Sequence, residues 1–107
     1  DRWRNPATRA SGFWTYIDAR DAAMTCRLAL QAKFRGHQVF IAAAAKNCMI
    51  QPTRELVQKY LPKGTRFKKA AGTHWSCVDS SKARRMLGFK PRHLWQDYLA
   101  EGLEQKY

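Results

Sequence analysis

The sequence predicts a small α/β (α+β) domain with a few short strands and about four helices. Three observations predict it. The chain has 107 residues, 45% of them apolar, enough for one buried core and too few for two domains. Short apolar runs at 13–17 (FWTYI) and 38–43 (QVFIAA) alternate with stretches whose apolar residues recur every three or four positions. The helical stretches also carry chemical start and stop signals: aspartate, serine or threonine before them, glycine or proline after them.

Residues 1–11 carry Arg2, Arg4, Pro6 and Arg9 without periodicity and read as an N-terminal arm or linker remnant, leaving 12–107 as a single lobe. Residues 13–17 read as a strand because they are aromatic and β-branched. Asp18 or Asp21 then caps a helix over 19–33, because a short carboxylate accepts the orphan amide protons of the first turn. Ala19, Ala22, Ala23, Cys26, Ala29, Leu30 and Lys33 form its stripe, and Gly36 stops it. The run 38–43 suits a strand buried on both faces, which makes the helix before it a right-handed crossover.

Residues 44–52 are a loop ending in Pro52, and Thr53 caps a second helix with Glu55 in its first turn and Leu56, Val57 and Tyr60 on its apolar side. Pro62 and Gly64 end it. Residues 65–68 and 74–78 are short strand candidates. Asp79 or Ser80 caps a third helix with Ala83, Met86 and Leu87 inward, stopped by Gly88 and Pro91. A final helix covers 95–103, with Leu94, Trp95, Tyr98, Leu99 and Leu103 on one side.

Composition excludes several classes of function. No run approaches the roughly 18 apolar residues of a membrane span, no charged-then-apolar leader of the signal-peptide type opens the sequence, and no repeat or low-complexity tract is present. The three cysteines, Cys26, Cys48 and Cys77, are odd in number and widely spaced. They read as free thiols of a reducing compartment, hence a cytoplasmic protein. His37, His74 and His93 are scattered, and no Cys-x-x-Cys or His-x-x-x-His pair exists, so no metal site is expected.

Charge is the strongest compositional signal. Twenty Lys and Arg against eight Asp and Glu give a net charge of +12. From 63 to 92 nine cations face one acid, Asp79. Lys63, Lys68, Lys69, Lys82, Arg84 and Arg85 make a basic patch whose field attracts phosphate, whether on a small ligand, on nucleic acid or in the form of an acidic partner.

Three segments, in order, resemble one family. Tyr16-Ile17-Asp18-Ala19-Arg20-Asp21-Ala22-Ala23 is similar to its Tyr-Ile-His/Asp-Val-x-Asp-x-Ala stretch. Val39-Phe40-Ile41-Ala42-Ala43 with Pro52-Thr53-Arg54-Glu55-Leu56 looks like its next strand, loop and helix. Asp79-Ser80-Ser81-Lys82-Ala83-Arg84-Arg85-Met86-Leu87-Gly88-Phe89-Lys90-Pro91 resembles its closing Asp-x-Ser-Lys-Ala-x-x-x-Leu-Gly-Trp-x-Pro signature. The family is the extended short-chain dehydrogenases/reductases, the NAD-dependent nucleotide-sugar epimerases and dehydratases. The resemblance covers roughly residues 12–99 and corresponds to the C-terminal lobe of such an enzyme without its Rossmann core.

The resemblance implies a substrate-binding lobe that is not catalytically complete alone. The family's cofactor, NAD or NADP, sits on a glycine-rich turn. No two glycines here are closer than eight residues, so this chain alone binds no cofactor. The family's catalytic Tyr is followed four residues on by Lys, whereas Tyr16, Tyr60 and Tyr98 are followed at that distance by Arg20, Gly64 and Gly102. No catalytic residue is therefore assigned.

For substrate binding the resemblance points to Tyr16, to Trp14 at a position where the family has an Arg, and to Arg66 in the region of a second phosphate-reaching Arg. Apolar surface left bare by the missing core implies a homo-oligomer, a complementing Rossmann-domain chain or burial in a larger complex. The alternative reading is a repurposed basic module for nucleic acid or an acidic protein.

Overall fold

A computed structural model of the chain describes residues 5–68 and 72–99. A 3-10 helix, Pro6–Gly12, is followed by four α-helices: α1 Ala19–Gln31, α2 Thr53–Tyr60, α3 Ser81–Leu87 and α4 Trp95–Leu99. Among the described residues there is no strand, only one antiparallel bridge between Lys46 and Trp75. The α/β expectation is therefore corrected: this is a small, mostly helical domain with long irregular connections.

Each expected strand fails for a physical reason. In 13–17, Phe13 and Trp14 adopt left-handed φ values of 51° and 54°, which no sheet tolerates. The turn is closed by the Phe13 and Trp14 amides donating to Ala10 and Arg9 carbonyls. The run 38–43 alternates half-buried and exposed side chains, as an extended chain does, but among the described residues no segment forms backbone hydrogen bonds with 37–42. It is neither a strand nor buried on both faces, and the crossover it was to complete does not form. Among the described residues, 74–78 yields only the two backbone bonds around the bridge, Asn47 N–H to His74 O and Ser76 N–H to Ala45 O, and 65–68 only a local turn bond, Thr65 N–H to Pro62 O.

The helices follow their local chemistry closely. Asp18 caps α1, its carboxylate accepting from the Arg20 amide at 2.9 Å. Asp21, the other cap candidate, is buried and reaches across the fold instead: one oxygen accepts the amides of both Arg92 and His93 at 3.0 Å. The α1 helix ends at Gln31, short of Gly36.

Pro52 is the N-cap of α2, and Thr53 is its first residue. The buried Thr53 hydroxyl donates to Trp75 O and accepts from Asn47 Nδ2 at 2.8 Å. Asp79 accepts the Ser81 amide at the start of α3, which frees the Ser80 hydroxyl to accept from Ala43 N–H. Gly88, at φ 71°, ends α3 with its amide on Arg84 O and the Phe89 amide on Ala83 O, a left-handed closure that favours glycine. The start of the last helix is at Trp95, and residues 100–107 lie outside the described set.

Two small cores result. Trp14, Met49, Leu56 and Val57 form the first, with Ala10, Cys48, Tyr60, Leu61 and Cys77 against it. The expected N-terminal arm contributes here: Pro6 is buried, its carbonyl accepts Trp14 Nε1 at 2.8 Å, and its helix packs on α2. Ala83, Leu87 and Phe89 form the second core, with Ile17, Leu28, Ala29, Ala32, Phe34, Phe40 and Ala42 around them. Leu30 (89% exposed) and Met86 (38%) face away from it, against their helical periodicity.

Candidate functional site

The polypeptide between α2 and α3 folds back on α2 and leaves an open cleft of about 600 Å³. Val57 of α2, Leu61 just after it, Cys77 and Val78 line it, together with the aromatic residues Phe13, Phe67 and Trp75. Phe67 and Trp75 lie with ring centroids 5.2 Å apart and planes inclined by 33°. Arg66 and Lys68, both exposed and the sequence neighbours of Phe67, also line the cleft. The left-handed turn at Phe13 is what places that ring, 47% exposed, at the rim.

Among the described residues, Asp79 is the only acid lining the cleft. Its hydrogen bonds to Ser81 hold it below the ordinary carboxylate range, helped by the fields of Lys68 and Arg85. It stays ionised at neutral pH, so Arg66 and Lys68 leave the cleft one positive charge in excess. Burial pushes the Cys77 thiol up, which keeps it protonated and weakly nucleophilic. The cleft can thus stack a flat ring and hold an anion through a guanidinium fork and an ammonium. Among the described residues that line it, no nucleophile is paired with a base.

The sequence-predicted site residues do not converge. Arg66 lies on the cleft. Trp14 is fully buried in the first core, edge-on to Tyr60 with centroids 6.1 Å apart. Tyr16 is half-buried outside the cleft, its hydroxyl accepting the Trp95 amide at 3.0 Å, and burial raises its pKa above the ordinary value. Of the basic patch, Lys68 lines the cleft, Lys63 follows α2, Lys82, Arg84 and Arg85 are on α3, and Lys69 falls outside the described residues. Lys82 sits over the Phe40 ring, 5.2 Å from its centroid, on the second core. Sequence reasoning missed Phe13, Phe67 and Trp75. The available signal was an aromatic residue between two cations, Arg66-Phe67-Lys68.

Around α1 and α4 a second polar cluster has a structural role. Arg20 grips Asp18 with two contacts of 2.9 Å and lies 5.0 Å from the Tyr98 ring centre. That grip holds Asp18 far below the usual carboxylate range. His93 Nδ1 and the Tyr98 hydroxyl are 3.0 Å apart.

The described residues do not fit a dinucleotide. No described helix begins after a glycine, and α1 opens on the Asp18 carboxylate, which repels a pyrophosphate. Among the described residues no group of three or more His, Cys, Asp or Glu could hold a metal ion, and no helix is long and apolar enough to cross a membrane. All three cysteines are free thiols. Compared with known protein families, with curated proteins and with solved structures, the chain matches none.

Proposed function

We propose that this chain is the substrate-binding lobe of an NAD-dependent epimerase/dehydratase-like protein, not catalytically complete alone, whose cleft receives the ring and phosphates of a nucleotide-bearing substrate. The observation that carries this reading is the cleft itself: its lining combines the aromatic residues Phe13, Phe67 and Trp75, which suit a ring, with Arg66 and Lys68, which suit a diphosphate. The three sequence segments that resemble the family give it a chemical context.

Incompleteness has its own support. Among the described residues, six large apolar side chains are buried (Trp14, Met49, Leu56, Val57, Leu87 and Phe89), whereas eight are exposed (Phe13, Met24, Leu30, Val39, Ile41, Ile50, Phe67 and Met86). Exposed apolar side chains on this scale leave area that a further chain segment or a partner can cover.

The test is a titration of the chain with uridine diphosphate glucose, read by tryptophan fluorescence since Trp75 lines the cleft. Saturable binding is expected, and Arg66→Ala should weaken it about tenfold or more through loss of a charged hydrogen-bond donor. An intact helical fold that does not bind, or that binds equally well without Arg66, would overturn the reading.

A second reading is favoured by one observation. The only ion pair among the described residues is Arg20 with Asp18, so most of the other described Lys and Arg have no paired acid to compete with a polyanion. A basic module for nucleic acid or an acidic protein would then bind generic RNA or acidic peptides with a steep loss between low and physiological salt.

A further inference from the structure

The segment 73–75 is pinned at each of its carbonyls, and it carries a hydroxyl and an imidazole that the cleft does not use. Thr73 O accepts the Thr53 amide at 2.9 Å, His74 O accepts the Asn47 amide at 2.8 Å, and Trp75 O accepts the Thr53 hydroxyl at 2.6 Å. Asn47 and Thr53 are fully buried, so these donors have no water to turn to and the segment is held in place.

Two side-chain bonds complete the arrangement. His74 Nε2 lies 2.8 Å from Ile50 O, and His74 Nδ1 lies 2.8 Å from Thr73 Oγ1. A carbonyl can only accept, so in the neutral imidazole Nε2 carries the proton, Nδ1 keeps its lone pair, and the Thr73 hydroxyl donates to it. A hydroxyl, a base within reach of its proton and a third group that orients the base are the parts of an activated nucleophile. Thr73 is exposed, and among the described residues no donor reaches its oxygen, which stays open to a substrate.

Both residues line a cavity of about 260 Å³ together with Ala45, Lys46, Gly72 and Trp75. That is smaller than the roughly 300–1,000 Å³ that drug-sized ligands occupy, so it suits a small acyl group. Trp75 offers a ring, and Lys46 is the one Lys, Arg, Asp or Glu among the described lining residues, which favours an anion on the leaving group. The amides of Thr73, His74 and Trp75 donate to no described residue, so the same segment holds free donors for a developing oxyanion.

We propose that Thr73 and His74 form an acyl-transfer site that hydrolyses small acyl esters of an anionic aromatic alcohol. The Thr73 oxygen attacks the ester carbonyl carbon as its proton passes to His74 Nδ1. The tetrahedral adduct collapses, the bond to the leaving oxygen breaks, and the alcohol takes that proton. Water then attacks the acyl-threonine and gives a proton to Nδ1, which returns it to the Thr73 oxygen as the carboxylic acid departs. Trp75 lines this cavity and the cleft, but the chemistry stands independently of what the cleft binds.

The probe is 4-acetoxybenzoate, offered to the full chain and followed by release of 4-hydroxybenzoate, with uncharged 4-acetoxybenzamide as its comparison. Saturable hydrolysis of the benzoate is expected, about tenfold or more faster than that of the benzamide. His74→Gln, whose amide can still donate to Ile50 O, should lower kcat about a hundredfold or more. Thr73→Val should do the same, and Thr73→Ser should retain turnover; circular dichroism checks that each variant folds. Mass spectrometry of the unaltered chain, quenched in acid during turnover, should find the acetyl group on Thr73, a readout that does not depend on a variant folding.

Four results would overturn the proposal. The folded chain shows no saturable hydrolysis, or Thr73→Val hydrolyses the ester as fast as the parent. Another residue carries the acetyl group and Thr73 carries none. The benzamide is cleaved as fast as the benzoate, which removes the anionic leaving group from the account.

Discussion

Asp21 joins the two ends of the described chain, and its removal gives the sharpest test of how the fold is held. A single oxygen of this buried carboxylate accepts the amides of Arg92 and His93, each at 3.0 Å and each more than seventy residues away in sequence. Asp21→Ala strands both amides in a partly buried site. An orphaned donor costs about 1–3 kcal/mol, and partial burial favours the lower half of that range, so the pair predicts a loss of about 2–4 kcal/mol. Against a total stability of about 5–15 kcal/mol for a domain of this size, that is a large fraction.

Asp21→Asn keeps a carbonyl oxygen with two lone pairs and loses only the charge assistance, about 1 kcal/mol. Urea unfolding followed by far-UV circular dichroism measures both, and the Ala variant should also melt roughly 10–20 °C lower. If Asp21→Ala lies within about 0.5 kcal/mol of the parent chain, or if Asn costs as much as Ala, the two amides are not what Asp21 contributes.

Two further outcomes follow from burial. Leu87→Ala should cost about 2–5 kcal/mol, because Leu87 closes the second core, whereas the adjacent Met86→Ala should change stability by about 0.5 kcal/mol or less, since Met86 is 38% exposed; chemical denaturation of the two variants compares them directly. Stability should also fall in alkali. Burial raises the thiols of Cys48 and Cys77 above 9.0 and the phenol of Tyr16 above 10.0. In that window the unfolded chain binds fewer protons than the folded one, so stability is full below about pH 9 and declines above it. Denaturation midpoints measured across that range check the sign, and Tyr16→Phe should flatten the upper part of the decline.

What the sequence makes legible is what short-range chemistry decides. The Asp18 cap, the Ser81–Leu87 helix and its Gly88 stop follow from local hydrogen bonding and backbone freedom, whereas Thr53, expected as a cap, is the first residue of α2 and turns its hydroxyl to the distant Trp75 carbonyl. Strand assignments failed because a strand is a relation between two segments. The run 38–43 has the composition and the alternation, yet no described segment forms backbone hydrogen bonds with 37–42.

Periodicity assigned Leu30 and Met86 to a helix face, but only a neighbour buries a face, and none covers these two. Asp21 read as a cap because its long-range partners at 92 and 93 leave no local trace. The cleft was half legible for the same reason. The basic run pointed to Arg66 and Lys68, whereas the convergence of Phe13, Phe67 and Trp75 depends on a left-handed turn at Phe13 and on chain reversal after α2.

Amide hydrogen exchange with and without uridine diphosphate glucose tests the central assignment most directly, because it reports where a ligand sits as well as whether one binds. New protection confined to 65–68 and 75–79, abolished by Arg66→Ala, is the expected result. Protection centred on α3 around Lys82, Arg84 and Arg85, or protection that NAD alone produces at the same amides, would contradict a substrate cleft between α2 and α3.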